Sequence, residues 1–272
     1  TNNFRFYNCP LIRTLIIRAK RQAMKKFLKI FGIVVGILIL IGAVAYFSVH
    51  EREPEGRNPQ KADELARAMM ASVNVSAWDT THWVRWSFRG DNDYVWDRER
   101  DFVQVEWENF TVLLHTKTVN GEAYENGQKL TGEAAQAAID QAWTIFCNDS
   151  FWLNPVAKAF DPGTTRSLVT LNDGRTGLKV KYQSGGVTPG DAYVWILDDN
   201  NRPVAWKMWV QIIPIGGLEA SWEGWTQLPT GAWIATKHEL LGGEIDMIQN
   251  LQGGASITDI GLREDPFSTI AH

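Results

Sequence analysis

Residues 131–160, TGEAAQAAIDQAWTIFCNDSFWLNPVAKAF, decide the fold class, because they interrupt a long run of strand-like sequence with a helical period. Ala135, Ala138, Ile139, Ala142, Trp143 and Phe146 recur at spacings of three and four, placing one apolar stripe on a helix that Thr131 can cap. Asn148-Asp149-Ser150 predicts the end of that helix. Asn154-Pro155 predicts a short second helix, stopped by Asp161-Pro162-Gly163.

On either side the period is two. Val84, Trp86 and Phe88 share a face in HWVRWSF, as do Val103, Val105 and Trp107 in FVQVEW, and Phe110, Val112 and Leu114 in FTVLLHTKTV. Asn120-Gly121 and Asn126-Gly127 predict tight hairpin turns, since both residue types tolerate positive φ. After the interruption, Leu178, Val180 and Tyr182 alternate with Lys179, Lys181 and Gln183. AYVWILD is apolar on both faces, as a central strand would be. In PVAWKMWVQII, Val204, Trp206, Met208, Val210 and Ile212 form one face; residues 218–227, 232–241 and 244–251 read as three more strands. Ahead of all this, Ala62, Leu65, Ala66 and Met69 make residues 60–72 an amphipathic helix, with Asn58 as cap and Pro59 in its first turn. The expected fold is α+β: one antiparallel sheet of about eight to eleven strands, packed on residues 131–160.

Residues 30–49, IFGIVVGILILIGAVAYFSV, carry no charge, and as a helix they would span about 30 Å, the thickness of a bilayer's hydrocarbon core. The eight residues Arg5, Arg13, Arg18, Lys20, Arg21, Lys25, Lys26 and Lys29 precede the run without an acidic neighbour, which predicts a cytoplasmic N-terminus and an exported C-terminal portion. Met24-Lys25-Lys26 looks like the start of an exported bacterial protein, so residues 1–23 read as an upstream extension or as a cytoplasmic tail. Ala43-Val44-Ala45 matches a signal-peptidase site, and cleavage after Ala45 would release a secreted domain. The length of the run and its continuation past that point favour an uncleaved single-pass anchor in a bacterial inner membrane, with the domain in the periplasm or outside the cell. Gly32-x-x-x-Gly36 offers a helix-dimer face, although glycine is common in membrane helices and the pattern often arises without meaning. The expected organisation is thus a basic segment (1–29), the anchor or signal (30–49), a polar linker (50–58), a folded domain (59–262) and a tail (263–272).

Residues 51–272 hold the other 19 basic residues against all 31 acidic ones, a balance of −12, which argues against nucleic acid as a partner. Cys9 and Cys147 would lie on opposite sides of the membrane, so no disulfide is expected. His50, His82, His115, His238 and His272 are dispersed without a metal-ligand spacing, and no nucleotide, hydrolase or metalloprotease motif occurs. No catalytic residue, metal or cofactor is therefore expected. The charged group Asp149, Lys158, Asp161 and Arg166 is the best candidate for an enzymatic alternative, an envelope hydrolase. Helix caps and a surface ion pair explain it more simply.

The chain has 13 tryptophans, most in or beside expected strands, and such rings suit both cores and apolar binding walls. The strand faces bearing Trp86, Phe88, Val105, Trp107, Trp206, Met208 and Val210 should look toward the helical stripe of Ile139, Trp143 and Phe146. Incomplete packing between them would leave a cavity lined by apolar atoms. This order of helix, strands, helical interruption and further strands, with an export signal, resembles the LolA-like envelope proteins over about residues 59–260. Stretches such as NDSFWLNP, SGGVTPGD and IPIGGLEASWEGW look like marks of a bacterial membrane-anchored family. The resemblance implies a strongly curved sheet, a half-barrel wrapping a helical plug around an apolar cavity for acyl chains. It carries over no individual residue. The function it implies is non-enzymatic binding of a lipid or other apolar small molecule, the alternatives being the hydrolase or a structural partner of an envelope complex.

Overall fold

Alternation in the sequence becomes two antiparallel sheets in the structure, a computed structural model that describes residues 10–184 and 188–271. The expectations for Cys9 and His272 lie outside the described residues. The first sheet comprises β1 (Trp83–Phe88), β2 (Asn92–Asp97), β3 (Phe102–Trp107), β4 (Phe110–His115), β5 (Asn120–Glu125) and β6 (Gln128–Lys129), with β16 (Ile248–Gly254) paired to β1. The second runs β7 (Thr164–Thr170), β8 (Thr176–Tyr182), β9 (Ala192–Leu197), β10 (Pro203–Trp209), β11 (Leu218–Ser221), β14 (Lys237–Leu240) and β15 (Gly243–Asp246) in neighbour order. A two-stranded ribbon, β12 (Thr226–Gln227) and β13 (Trp233–Ile234), completes the strands among the described residues.

One sheet was expected and two form. The reason is local: the stretch 244–251, read as a single strand, divides at buried Met247. The Met247 carbonyl accepts from Arg89 N at 2.9 Å on the first sheet, while Ile248 N donates to Thr236 O at 3.2 Å on the second. One residue thus hands the chain from sheet to sheet with its backbone groups still bonded.

The hairpin read at Asn120-Gly121 is displaced. Those residues open β5, opposite His115 and Leu114, and the preceding turn instead places Val119 at φ 55°, an uncommon conformation for a β-branched residue. Asn126 and Gly127, at φ 49° and 75°, do form the primed turn their sequence demands.

Four α-helices are described. α1 (Pro10–Val49) contains the one described helix long and apolar enough to cross a membrane, a candidate span or signal sequence. It belongs to one compact unit, Thr1–Glu51, and the sheets belong to a second, Arg52–His272. α2 (Pro59–Ser72) buries Ala62, Ala66 and Met69. Asn58 precedes it in the left-handed region and caps it through its carbonyl, which accepts from Ala62 N at 3.0 Å, rather than through its side chain. α3 (Val75–Asp79) is a single turn or so. α4 (Gly132–Leu153) is the interrupting helix, and it runs past the expected stop at 148–150. The expected second helix is a 3-10 turn, Val156–Lys158, after Asn154 accepts from Ala157 N at 3.3 Å.

Each sheet has its own core. The inward face of the first (Val84, Trp86, Phe88, Tyr94, Val103, Val105, Trp107, Val112, Leu114) packs on Ala138, Ile139, Ala142 and Phe146 of α4. The inward face of the second (Leu178, Val180, Tyr193, Trp195, Trp206, Met208) packs on α2. Trp152, near the end of α4, packs against both. Fully burying each such side chain contributes about 1.5–3 kcal/mol, so these stripes dominate the stabilisation.

The segments expected as linker and tail join the domain. Glu53 binds Lys179 and Lys181, and Arg57 exchanges backbone hydrogen bonds with Leu168 of β7 at 2.8 and 2.9 Å. Phe267 is fully buried against Trp83 and Phe102 on the outward face of the first sheet, and Asp265 holds Arg100 at 2.7 Å. Both segments look polar and short in the sequence, which hides the few residues that anchor them.

Candidate functional site

The site begins with the register of α4. Extending its apolar stripe by three and four residues from Phe146 brings in Asp149, Ser150 and Leu153, all buried. A carboxylate on the buried stripe needs donors, and β2 supplies them: Tyr94 Oη and Asn92 Nδ2 (2.8 Å) donate to Asp149 Oδ2, while Asn148 Nδ2 donates to Oδ1 at 2.8 Å. Burial still raises the Asp149 carboxyl above its ordinary range, with these hydrogen bonds opposing the shift.

Beyond this staple, the second half of α4 and the second sheet do not close on one another. Between them lies a partly open cavity of about 840 Å³. Its apolar walls are Trp143, Ile145, Phe146, Phe151 and Trp152 from α4 and Tyr182, Tyr193, Met208 and Val210 from the sheet, with Ile212 and Ile213 at the rim and Trp96 and Thr116 of the first sheet adjoining. The volume is in the range of pockets that enclose a small-molecule ligand.

The charged groups in the wall are engaged with neighbours. Asp191 accepts from Thr188 Oγ1 at 2.6 Å and from Gln211 N at 2.9 Å, which ties the loop before β9 to the end of β10. Lys158 pairs with Asp161 at 3.5 Å. Burial pushes the Cys147 thiol up to about 11, away from the thiolate a nucleophile requires. Tyr182 Oη is buried with no hydrogen-bond partner, and burial raises its hydroxyl well above the usual range.

Of the residues expected to form a wall, Trp143, Phe146, Met208 and Val210 line this cavity. Trp86, Phe88, Val105, Trp107 and Ile139 are gathered instead in the closed core of the first sheet, and Trp206 in that of the second. Sequence reasoning missed Tyr182, Tyr193, Trp152 and Asp191. The first two were legible as inward positions in register with Leu178 and Trp206. Trp152 was not, because the helix was ended too early.

Of the charged group, Asp149, Lys158 and Asp161 border the cavity, but Arg166 does not join them. Arg166 turns to Asp63 of α2 at 2.5 Å, to Ala159 O at 2.9 Å and onto the Phe160 ring, while Asp149 faces β2. Among the described residues no group of three His, Cys, Asp or Glu side chains could hold a metal ion.

Behind the cavity wall stands an aromatic cluster. The Trp206 ring lies 4.6 Å from Tyr193 and 4.9 Å from each of Trp152, Trp195 and Trp222. His238 is fully buried beside Trp152 and Trp222, and its Nδ1 lies 2.7 Å from the Ser221 carbonyl, so Nδ1 carries the proton and Nε2 is the bare acceptor. Burial lowers the His238 pKa to about 4. The Nε1 atoms of Trp195, Trp206 and Trp222 and Nε2 of His238 are buried without hydrogen-bond partners. No protein-family model matches the chain, and none of the curated proteins compared with it matches in sequence.

Proposed function

We propose that residues 52–271 are a non-enzymatic binding domain of the bacterial cell envelope that takes a lipid or other apolar ligand into the cavity between α4 and the second sheet. The observation that carries this reading is the cavity itself: about 840 Å³ walled by aromatic and aliphatic side chains. The charged groups in its wall are already satisfied by neighbours. An acyl chain entering it gains about 0.8 kcal/mol per buried methylene, so ten methylenes contribute about 8 kcal/mol before ordering costs. That suffices for useful affinity without a dedicated polar contact.

As part of this proposal, the two antiparallel sheets and α4 take the roles of the LolA-like group's curved sheet and helical plug, with α1 as the inner-membrane anchor and the domain in the periplasm. The hydrolase alternative is disfavoured because Asp149, Lys158 and Asp161, although they border the cavity, are engaged with other partners and Arg166 turns away to Asp63, which leaves no base beside a nucleophile.

Native mass spectrometry of a fragment beginning at Arg52, which retains the Glu53 contacts, tests the reading. Co-purified species of phospholipid or fatty-acid mass are expected, and Val210→Asp, which puts a charge in the wall, should reduce their occupancy at least tenfold with the far-ultraviolet spectrum unchanged. A fragment that carries no lipid and takes up no fluorescent fatty acid would overturn it.

A further inference from the structure

At one end of the second sheet, Asp161 and Pro162 before β7, Ser184 and Thr188 between β8 and β9, and Ile212 and Ile213 after β10 border the cavity mouth, and the β14–β15 turn lies at the same end. The register pairs Thr164 with Tyr182, Lys181 with Ala192, Ala192 with Trp209, Met208 with Leu218, Ala220 with Leu240 and Leu240 with Gly243. The start of β7, end of β8, start of β9, end of β10, start of β11 and the β14–β15 turn therefore share that end. Two of the domain's most exposed large apolar side chains sit there, Ile212 at 69% and Leu241 at 81% exposure. Ile212 follows β10 and Leu241 follows β14, two strand spacings apart, about 10 Å. Val204, at 42%, lies at the opposite end, where β10 begins.

The segment leading to the apolar helix is strapped toward the same end. Arg57 bridges Leu168 in the middle of β7; one step back, Pro54 O accepts from Lys179 Nζ at 2.6 Å; then Glu53 meets Lys181 Nζ at 2.9 Å, one residue short of Tyr182. The strap fits closely, since a Cβ on Gly56 would come within 1.9 Å of Ser167 Oγ. In the sequence only His50 and Glu51 separate Arg52 from Val49, the last helical residue.

We propose that this end of the domain, with Ile212 and Leu241 as its apolar contacts, is a second membrane-contact surface that rests on the lipid bilayer and turns the cavity mouth toward it. Exposed aliphatic side chains at the end toward which the strap runs, in a chain that continues into a candidate membrane helix, are an arrangement that interfacial burial favours. The balance of −12 over residues 51–272 opposes anionic lipid, so contact is stronger with zwitterionic phosphatidylcholine. The purpose of the contact, delivering acyl chains to the cavity, rests on the proposed function, but the contact itself is measured without any bound ligand.

The test uses the full chain with Cys9→Ser and Cys147→Ser, reconstituted in phosphatidylcholine vesicles. A polarity-sensitive fluorophore is attached at Ile212→Cys, Leu241→Cys or, as the far-end control, Val204→Cys. Quenching by lipids carrying a nitroxide near the headgroup should be at least threefold stronger at 212 and 241 than at 204, with blue-shifted emission, and should weaken as phosphatidylglycerol replaces phosphatidylcholine. Equal quenching at all three positions would overturn the proposal. So would label-to-label self-quenching at 212 and 241 without lipid quenching, which would make the surface an interface between two copies. Lipid quenching at 212 and 241 together with an empty cavity in the mass-spectrometric experiment would leave the membrane contact standing and remove the ligand reading.

Discussion

Replacing Trp206 by alanine should cost the domain about 4–5 kcal/mol. Trp206 is fully buried, and five aromatic rings surround it: Tyr193, Trp152, Trp195, Trp222 and, at 5.9 Å, Phe151. Large-to-small changes at such sites lose the transfer free energy and leave a void that rigid neighbours do not fill, which places Trp→Ala at about 3–5 kcal/mol. The stacked and edge-on ring pairs, each worth about 0.5–1.5 kcal/mol beyond area, push the value to the top of that range. With a domain stability of about 5–15 kcal/mol, the variant keeps a folded state but a weakened one. Urea unfolding of the fragment from Arg52 reads this directly: at a slope of about 2–3 kcal/mol per molar, the midpoint falls by about 2 M. Trp206→Phe separates packing from polarity. It keeps a ring in the cluster and removes the unpartnered Nε1, a donor whose buried desolvation is uncompensated, so it should cost only about 1 kcal/mol. A loss below about 1 kcal/mol for the alanine variant, or equal losses for both, would refute the view of Trp206 as the packing centre of the second core.

Two further outcomes follow from buried side chains. Because burial lowers His238 to about 4 from an unfolded value of about 6.5, the unfolded state takes the proton first as pH falls; stability is full above pH 6.5 and drops by about 3 kcal/mol between 6.5 and 4, and His238→Gln should flatten that part of a urea-unfolding pH series. Phe267→Ala, which empties the position stacked on Trp83 and Phe102, should lower stability by about 3 kcal/mol in the same assay, and a chain ended before residue 263 should lose at least as much.

The strand faces were legible because a strand's side chains alternate strictly: Trp86 and Phe88, Val105 and Trp107, Trp206 and Met208 each point inward as the pattern of two requires. What the pattern cannot carry is which sheet a strand joins. Met247 sits in an unbroken strand-like stretch, and only the backbone partners of Met247 and Ile248 reveal that the chain changes sheets there. Helix length was misjudged for a related reason. Asn148-Asp149-Ser150 are residues that stop a helix when their side chains bond their own backbone, but Asp149 finds Tyr94 and Asn92, 57 and 55 residues away in reverse order, and the helix continues. The strap was read as linker because Glu53, Gly56 and Arg57 act through a lysine pair and a strand edge that no local signal announces.

The abundance of tryptophan and the presence of a cavity belong to one physical explanation. A void beside flexible aliphatic side chains tends to be filled by their rearrangement, whereas one backed by large rings with few rotamers persists. Trp152 has one face on the Trp206–Trp222–His238 cluster and also borders the cavity, and Tyr193 likewise joins the cluster to the wall. Neither ring can move into the void without breaking contacts at about 5 Å with the buried rings behind it. On the far side, Asp191 holds the ends of β9 and β10 together through Thr188 and the Gln211 backbone, so the mouth is fixed by hydrogen bonds where the wall is fixed by stacking. The orphaned indole N–H groups of Trp195, Trp206 and Trp222 behind the wall are the cost of that rigidity, each burying a donor that a phenyl ring would not carry. A preformed apolar space binds without first opening, and that pre-organisation is what would let an imperfectly packed core serve as the proposed site.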